Sequence, residues 1–349
     1  MREMDCRFFR IKQHGVELLI HQFQQCLLFL RRDVMEKNKV KPACGQPGTT
    51  LAPVFTQLNG VILGKEKQIK LALTCLLARG HLLIEDVPGL GKTVLAHALG
   101  RALGLEYQRV QFTSDLLPGD VIGCSVYDRN QGAFHFTPGP VFTQLLLADE
   151  INRATPKCQS ALLEAMEERQ VSADGKTREL PQPFYVIATQ NPTEQVGTYP
   201  LPESQLDRFL LRISMGYPDQ DAELEILRGE DRKTMLENMN PLVSPSDLLA
   251  LQAGVREVKV SDAVLRYLYR LLDFTRTSEL FHTGLSTRAG LGLLRAAQAW
   301  ALIHDEDKLL PGDIQSVFPA VAGHRLAPVA GRMSSSRIGE EIIANVAVD

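Results

Sequence analysis

Residues able to do chemistry on phosphate begin at Asp86. The run Asp86-Val87-Pro88-Gly89-Leu90-Gly91-Lys92-Thr93 sets small and turn-forming residues ahead of a Gly-Lys-Thr triplet, and Val94 opens a stretch of helical apolar spacing that reaches Leu103. Small residues let successive backbone N–H groups curl around phosphate oxygens, and the start of a helix adds a favourable dipole. Lys92 then reaches the β- and γ-phosphates of a nucleotide, and the Thr93 hydroxyl ligates Mg²⁺. The general pattern has Gly at the position of Asp86, so this loop needs partners elsewhere in the chain before it carries a conclusion.

The partners follow in order. An apolar run from Val141 to Ala148 ends in Asp149-Glu150, where Asp149 would hold Mg²⁺ through water or with Thr93 and Glu150 would polarise an attacking water. In isolation two acids after a strand are an ordinary solvated cap. A second apolar run, Phe184 to Thr189, ends in Gln190-Asn191-Pro192, and Asn191 is placed to orient the water or touch the γ-phosphate. A third, Phe209 to Ile213, is preceded by Leu206-Asp207-Arg208.

These residues need elements to hold them. His81 to Glu85 is short, apolar and bounded by turn residues, which suits a buried strand feeding the loop. Strand, glycine-rich loop and helix is the order a phosphate-binding loop requires, and polar residues at strand C-termini lie where open α/β sheets bind ligands. After Pro218 the pattern turns helical. Asp219 to Leu227 carries acids in its first turn, and amphipathic stretches run over Ser261–Thr275, Thr287–His304 and Pro311–Ala322.

Taken together, the motifs resemble those of the AAA+ ATPases and, within them, the MoxR family. The matching residues are the Glu-Asp-Val-Pro-Gly-x-Gly-Lys-Thr loop, Asp149 to Ala154, Ala188 to Pro192, Leu206 to Phe209 and Gly284-Leu285-Ser286-Thr287-Arg288-Ala289. The resemblance runs from about Gly60 to about Leu326, and Asp86 at the first loop position is usual in that family. It implies an α/β fold: a P-loop core with a parallel sheet of order 5-1-4-3-2, then a small α-helical lid. It implies that residues 86–94 bind ATP, with Lys92 and Thr93 as Walker A and Asp149 and Glu150 as Walker B. It further implies that Thr93 and Asp149 hold Mg²⁺, that Asn191 is sensor 1, and that Arg208 is an arginine finger supplied to a neighbouring subunit. Arg288 matches sensor 2, acting in cis or in trans, and Ile62-Leu63-Gly64 resembles the segment that packs on adenine. A finger in trans implies a homo-oligomeric ring, typically a hexamer, and the family often works with a von Willebrand factor A-domain partner on a protein client.

The expected organisation is an N-terminal arm over residues 1–50, an ATPase core over 51–218, a lid over 219–330 and a tail over 331–349. Two inserts read as hairpins. One runs from Val121 to Phe136 around Asp128–Gly132, and the other spans Gln170–Leu180 around Asp174-Gly175-Lys176. Both are placed either to contact a client or to buttress the ring. His324-Arg325-Leu326 matches a family ending, and the helix pairing of the tail stays open.

Composition bounds the rest. At 349 residues, 44% hydrophobic and 23% charged, the chain is ordinary globular material of about two domains. The net charge is −3, but residues 1–50 carry nine Lys/Arg against five Asp/Glu, which leaves −7 for the remainder. Val16–Leu30 is apolar yet broken by His21, Gln22, Gln24 and Gln25, too short and polar to span a bilayer, with no small-residue cleavage site after it. It reads as a loosely attached amphipathic arm, or as sequence upstream of a start at Met35, with residues 35–50 as a flexible lead-in. Six cysteines without a Cys-x-x-Cys pair suit buried reduced thiols and a cytoplasmic protein. A Gly-x-Ser-x-Gly elbow and a His-Glu-x-x-His pair are both missing, so serine-hydrolase and zinc-protease chemistry lack their first requirement. The expectation is an ATPase that remodels a protein client. The alternatives are a nucleic-acid motor or loader, which near-neutral charge and 6% aromatic content do not favour, and a scaffold that binds ATP without turnover.

Overall fold

The computed structural model describes residues 47–191, 197–229, 232–329 and 335–348. The arm expected over residues 1–50 therefore lies outside the described residues up to 46. Residues 47–50, expected to end a flexible lead-in, instead begin helix α1 (Pro47–Val61). From there the order is α2 (Glu66–Leu77), β1 (Leu82–Glu85), α3 (Lys92–Ala102), β2 (Tyr107–Gln111), α4 (Pro118–Ile122), β3 (Gly123–Asp128) and β4 (Ala133–Pro138). Next come β5 (Leu145–Asp149), α5 (Pro156–Glu168), β6 (Gln170–Ala173), β7 (Lys176–Glu179), β8 (Tyr185–Gln190), α6 (Glu203–Leu206) and β9 (Leu211–Ile213). Seven helices follow: α7 (Gln220–Arg228), α8 (Arg232–Glu237), α9 (Pro245–Gly254), α10 (Asp262–Thr277), α11 (Thr287–Ile303), α12 (Pro311–Ala322) and α13 (Ser335–Asn345).

Five strands form one parallel sheet in the order β2-β5-β8-β1-β9. Numbered along the chain, that is the expected 5-1-4-3-2. The inner strands β5, β8 and β1 read as nearly continuous apolar runs because both faces are covered, whereas edge strand β2, Tyr-Gln-Arg-Val-Gln, is largely polar and exposed. Leu82, Ile84, Leu145, Leu147, Tyr185 and Ile187 enter one core with α1, α2, α3 and the C-terminal helices. Their neighbours Leu83, Leu146, Ala148, Val186 and Ala188 point the other way and pack with α5. This is period-two alternation read on two buried faces.

The two inserts are antiparallel hairpins, β3–β4 and β6–β7. Val121 and Ile122, expected in the first ribbon, are helical instead. Pro118 stands at the first helical position and the Asp120 carboxylate accepts the Leu117 N–H at 2.8 Å, so a short capped helix forms before the ribbon starts. The strands expected to begin at His81, Val141, Phe184 and Phe209 begin one to four residues later, where pairing in the sheet ladder starts. The tail expected over residues 331–349, whose helix pairing the sequence leaves open, contains α13. Ile338 and Ile342 lie one turn apart on α13 and are both buried against the first core.

Cys75 and Cys158 are buried free thiols, and burial pushes the Cys75 thiol up to about 12 and that of Cys158 to about 11. Cys124 is free but exposed, unlike the burial expected of it, and Cys6, Cys26 and Cys44 lie outside the described residues. Among the described residues, no helix is long and apolar enough to cross a membrane.

The base of the first hairpin depends on two glycines that meet. A Cβ on Gly139 would run into the Val121 carbonyl and the Gly123 amide, and Gly123 itself has φ +93°. Gly60, near the end of α1, has nothing within 4 Å of its would-be Cβ. Gly139→Ala is therefore expected to cost about 1–3 kcal/mol, seen as a lower melting temperature. Gly60→Ala should stay within about 1 kcal/mol of the parent, on the stabilising side. Equal melting of the two variants would contradict the close approach at Gly139.

Candidate functional site

β1 ends at Glu85, the loop follows, and α3 begins at Lys92. Gly89 (φ +85°) and Gly91 (φ +79°) take the left-handed conformations that let the loop curl, and Gly91 is also the residue that caps α3. The first N–H groups of α3 lack carbonyl partners within the helix, so they and the loop form an anion cradle. The Lys92 ammonium donates to the Asp86 carbonyl oxygen at 2.7 Å, folding back over the loop.

A cavity of about 340 Å³ opens on this cradle. Pro88, Gly89, Gly91, Lys92, Thr93 and Val94 line it from the loop side, and Asp149, Glu150 and Asn191 from the neighbouring strand ends. The parallel register makes this convergence. Glu85 lies opposite Gln190 across β1 and β8, and Ala148 lies opposite Ala188 across β5 and β8, so the functional residues leave the sheet along one edge.

Of the loop residues expected to bind nucleotide, Asp86, Val87 and Leu90 do not line the cavity. Leu90 packs against the first core. The Asp86 carboxylate turns away from the cradle and accepts hydrogen bonds from Val87 N–H at 2.9 Å, Ser214 Oγ at 2.7 Å and Gly216 N–H at 2.7 Å. Burial alone would raise its pKa, but these donors hold it below the usual carboxylate value. Its carboxylate ties the loop to the segment leading into α7, while its carbonyl receives Lys92. Ile62-Leu63-Gly64 also stands apart from the phosphate cavity. Gly64 packs against Ala222 and Asp219 at the start of α7 and opens on a separate cavity of about 800 Å³.

The two acids are tightly oriented. Thr189, fully buried on β8, donates its hydroxyl proton to Asp149 Oδ1 at 2.5 Å and accepts the Glu150 N–H at 2.9 Å. Arg109 on β2 reaches Asp149 Oδ2, with Nη2 at 2.7 Å and Nε at 3.2 Å. Gln111, two residues along the same strand, donates to Glu150 Oε2 at 2.8 Å, and Arg153 Nε lies 3.0 Å from the same oxygen. Glu150 sits at φ +56°, ψ +49°, a left-handed backbone unusual for a side-chain-bearing residue and typical of functional positions.

A hydroxyl from Thr93 and a carboxylate from Asp149 on one cavity form an oxygen donor set of the kind a hard cation takes, so the residues present fit Mg²⁺. The Asp149 side chain is only 11% exposed and is already aimed by Thr189, which lowers the cost of ordering it around an ion.

Arg208 and Arg288 are not brought to this cavity. They meet elsewhere, on Glu167 of α5: Arg208 Nη2 lies 3.1 Å and Arg288 Nη1 2.9 Å from its two oxygens. Arg208 also lines a surface cavity of about 470 Å³ with Ser160, Glu164, Glu168 and Gln205. Behind it, Arg325 clamps the residues on either side of Arg208, with Nε on Asp207 Oδ1 at 2.6 Å and Nη2 on the Phe209 carbonyl at 2.7 Å. Buried His324 contacts the same Phe209 carbonyl through Nε2 at 2.9 Å, and burial beside Arg325 holds its pKa well below the usual value.

Sequence reasoning missed Arg109, Gln111, Thr189 and Glu167. The first two had a signal: on a strand, residues two apart share a face, and both lie on the strand paired with β5. Thr189 and Glu167 act through contacts 40 residues or more away, and no local pattern marks them.

The family model described as the ATPase family associated with various cellular activities matches residues 81–211, and an AAA lid domain model matches 273–344, through most of α13 and past residue 330. The Bacillus subtilis protein YeaC is 45% identical over 276 residues, covering 79% of this chain and 86% of its own. The Mycobacterium tuberculosis protein named Chaperone MoxR1 is 39% identical over 305 residues, covering 85% of this chain and 80% of its own. A crystal structure of a proposed ATPase from Cytophaga hutchinsonii superposes with a TM-score of 0.78 at 36% identity, covering 87% of this chain and 96% of that one. With a phosphate loop, paired acids and a polar strand end converging on one sheet edge, and with relatives of this extent, the chain belongs to the MoxR family of AAA+ ATPases.

Proposed function

We propose that the chain hydrolyses ATP as one subunit of a ring, typically a hexamer, and couples turnover to remodelling of a protein client. One observation carries the shared-site reading: Arg208 and Arg288 lie together on Glu167 and away from the phosphate cavity of their own subunit. Each subunit then supplies a cradle to one nucleotide and two guanidinium groups to the next.

In this reading the loop N–H groups and Lys92 bind the β- and γ-phosphates. Thr93 and Asp149 hold Mg²⁺, which when bound neutralises charge on the phosphate oxygens. Glu150, held by Gln111 and Arg153, orients a water for in-line attack and takes its proton. Asn191, 5% exposed at the end of β8, faces the same space and fixes the water from the other side. The water oxygen bonds to the γ-phosphorus, the bond to the bridging oxygen breaks, and ADP and phosphate result. Arg208 and Arg288 of the adjacent subunit offset the charge that develops on the leaving and equatorial oxygens.

The client reading rests on other features. The first hairpin exposes Val126, Tyr127 and Phe134 at 52%, 52% and 72%, with the two rings 5.2 Å apart. The hairpins brace each other, because Arg178 stacks 3.6 Å over the Phe136 ring and the Ser125 hydroxyl bonds the Asp174 carboxylate. A relative carries the name chaperone, and a von Willebrand A-domain partner is the family expectation for delivering such a client.

Two outcomes test this reading. Lys92→Ala should abolish nucleotide binding, whereas Glu150→Gln should bind ATP normally and lose turnover by at least about a hundredfold. Steady-state hydrolysis retained by purified Glu150→Gln would remove the catalytic assignment. Separately, Arg208→Ala should bind ATP yet not hydrolyse it, and mixing it with Glu150→Gln should restore part of the activity, since each supplies what its neighbour lacks. Two inactive variants that stay inactive when mixed would count against a site shared between subunits.

A further inference from the structure

Glu167 uses one carboxylate oxygen on each of two arginines that come from distant parts of the chain. Oε2 lies 3.1 Å from Arg208 Nη2, and Oε1 lies 2.9 Å from Arg288 Nη1. Arg208 enters from the turn between α6 and β9, and Arg288 from the first turn of α11, where the Ser286 hydroxyl accepts the Ala289 N–H and fixes the helix start. Arg208 is gripped a second time by α5, through Nη1 to the Leu163 carbonyl at 2.5 Å, one turn before Glu167. Arg288 is held differently: its side chain is 57% exposed, against 28% for Arg208.

Two guanidinium groups this close repel each other, and a long exposed arginine stem loses conformational entropy when it is fixed. A carboxylate between them offsets both effects, and charge-assisted bonds to the two oxygens set the spacing of the two planes. Each guanidinium carries five N–H donors, so the shared carboxylate leaves donors on both for another anion.

We propose that Glu167 is the positioning residue that sets Arg208 and Arg288 side by side as one paired cation for the γ-phosphate bound to the adjacent subunit. This rests on the reading that both arginines act across the subunit interface. Glu167 touches neither the nucleotide nor the attacking water; it fixes the geometry of the groups that do. The pairing also joins two helices that pack in different cores on opposite faces of the sheet, α11 in the first and α5 in the second.

The test uses mixed full-length subunits. The control mixes Arg208→Ala, which has a complete cradle, with Glu150→Gln, which donates intact arginines. The second mixture replaces the donor with Glu150→Gln/Glu167→Gln, and the third with Glu150→Gln/Glu167→Asp. Relative to the control, kcat should fall by roughly ten- to a hundredfold with the Gln donor, while the KM for ATP and the sedimentation of the mixed assembly hold. The shorter acid should recover part of the rate. A silent control overturns the cross-interface reading, and the role of Glu167 with it. An active control whose kcat is unchanged or raised by Glu167→Gln overturns the role of Glu167 alone, as does a loss of rate that tracks loss of assembly.

Discussion

Thr189 is fully buried on β8, donates its hydroxyl proton to Asp149 and accepts the Glu150 N–H, so the aim of both acids depends on how β8 lies against β5. That contact exists because the strands are parallel and run in register from Leu145 opposite Tyr185 to Ala148 opposite Ala188. A one-residue slip would send every side chain of one strand to the opposite face and take the hydroxyl from the carboxylate. The same register sets Glu85 opposite Gln190 and so fixes where the phosphate loop leaves the sheet. Glu150 then holds a left-handed backbone costing about 1 kcal/mol, offset by its N–H bond to Thr189 and its side-chain partners on β2 and in the following turn.

From that edge the structure reaches outward by charge. Glu85 pairs with Arg212 at 2.7 Å, and Arg212 donates to the Gly323 carbonyl at the end of α12. Asp86 joins the loop to residues 214–216 before α7, and Arg325 after α12 grips the segment that carries Arg208. The phosphate loop is tied to the segment between β9 and α7, and the segment that carries Arg208 to the end of α12. A change in the cradle therefore has a physical route to the arginine face, and α5, which bears Glu167, continues through Arg169 into the second hairpin.

Much of this was legible in the sequence because it is local. The phosphate loop, the paired acids, the polar end of β8 and the amphipathic C-terminal helices all announce themselves within ten or so residues. Their order along the chain was enough to identify the resemblance that gives the sheet order. What escaped is long-range or sits at element boundaries. Arg109 and Gln111 matter only because β2 lies beside β5, and Glu167 only because two distant arginines arrive at it. Val121 and Ile122 look like strand residues by type, but Pro118 and the Asp120 cap decide for helix. The direction of the Asp86 carboxylate was likewise invisible, since two of its three partners lie 128 and 130 residues away.

If each nucleotide is hydrolysed by groups from two subunits, the rate of phosphate release per subunit depends on assembly. On dilution, with ATP binding per subunit followed in parallel, binding should persist while the specific rate falls toward zero as assemblies dissociate. A specific rate that stays constant down to the isolated subunit would rule out a site shared between subunits.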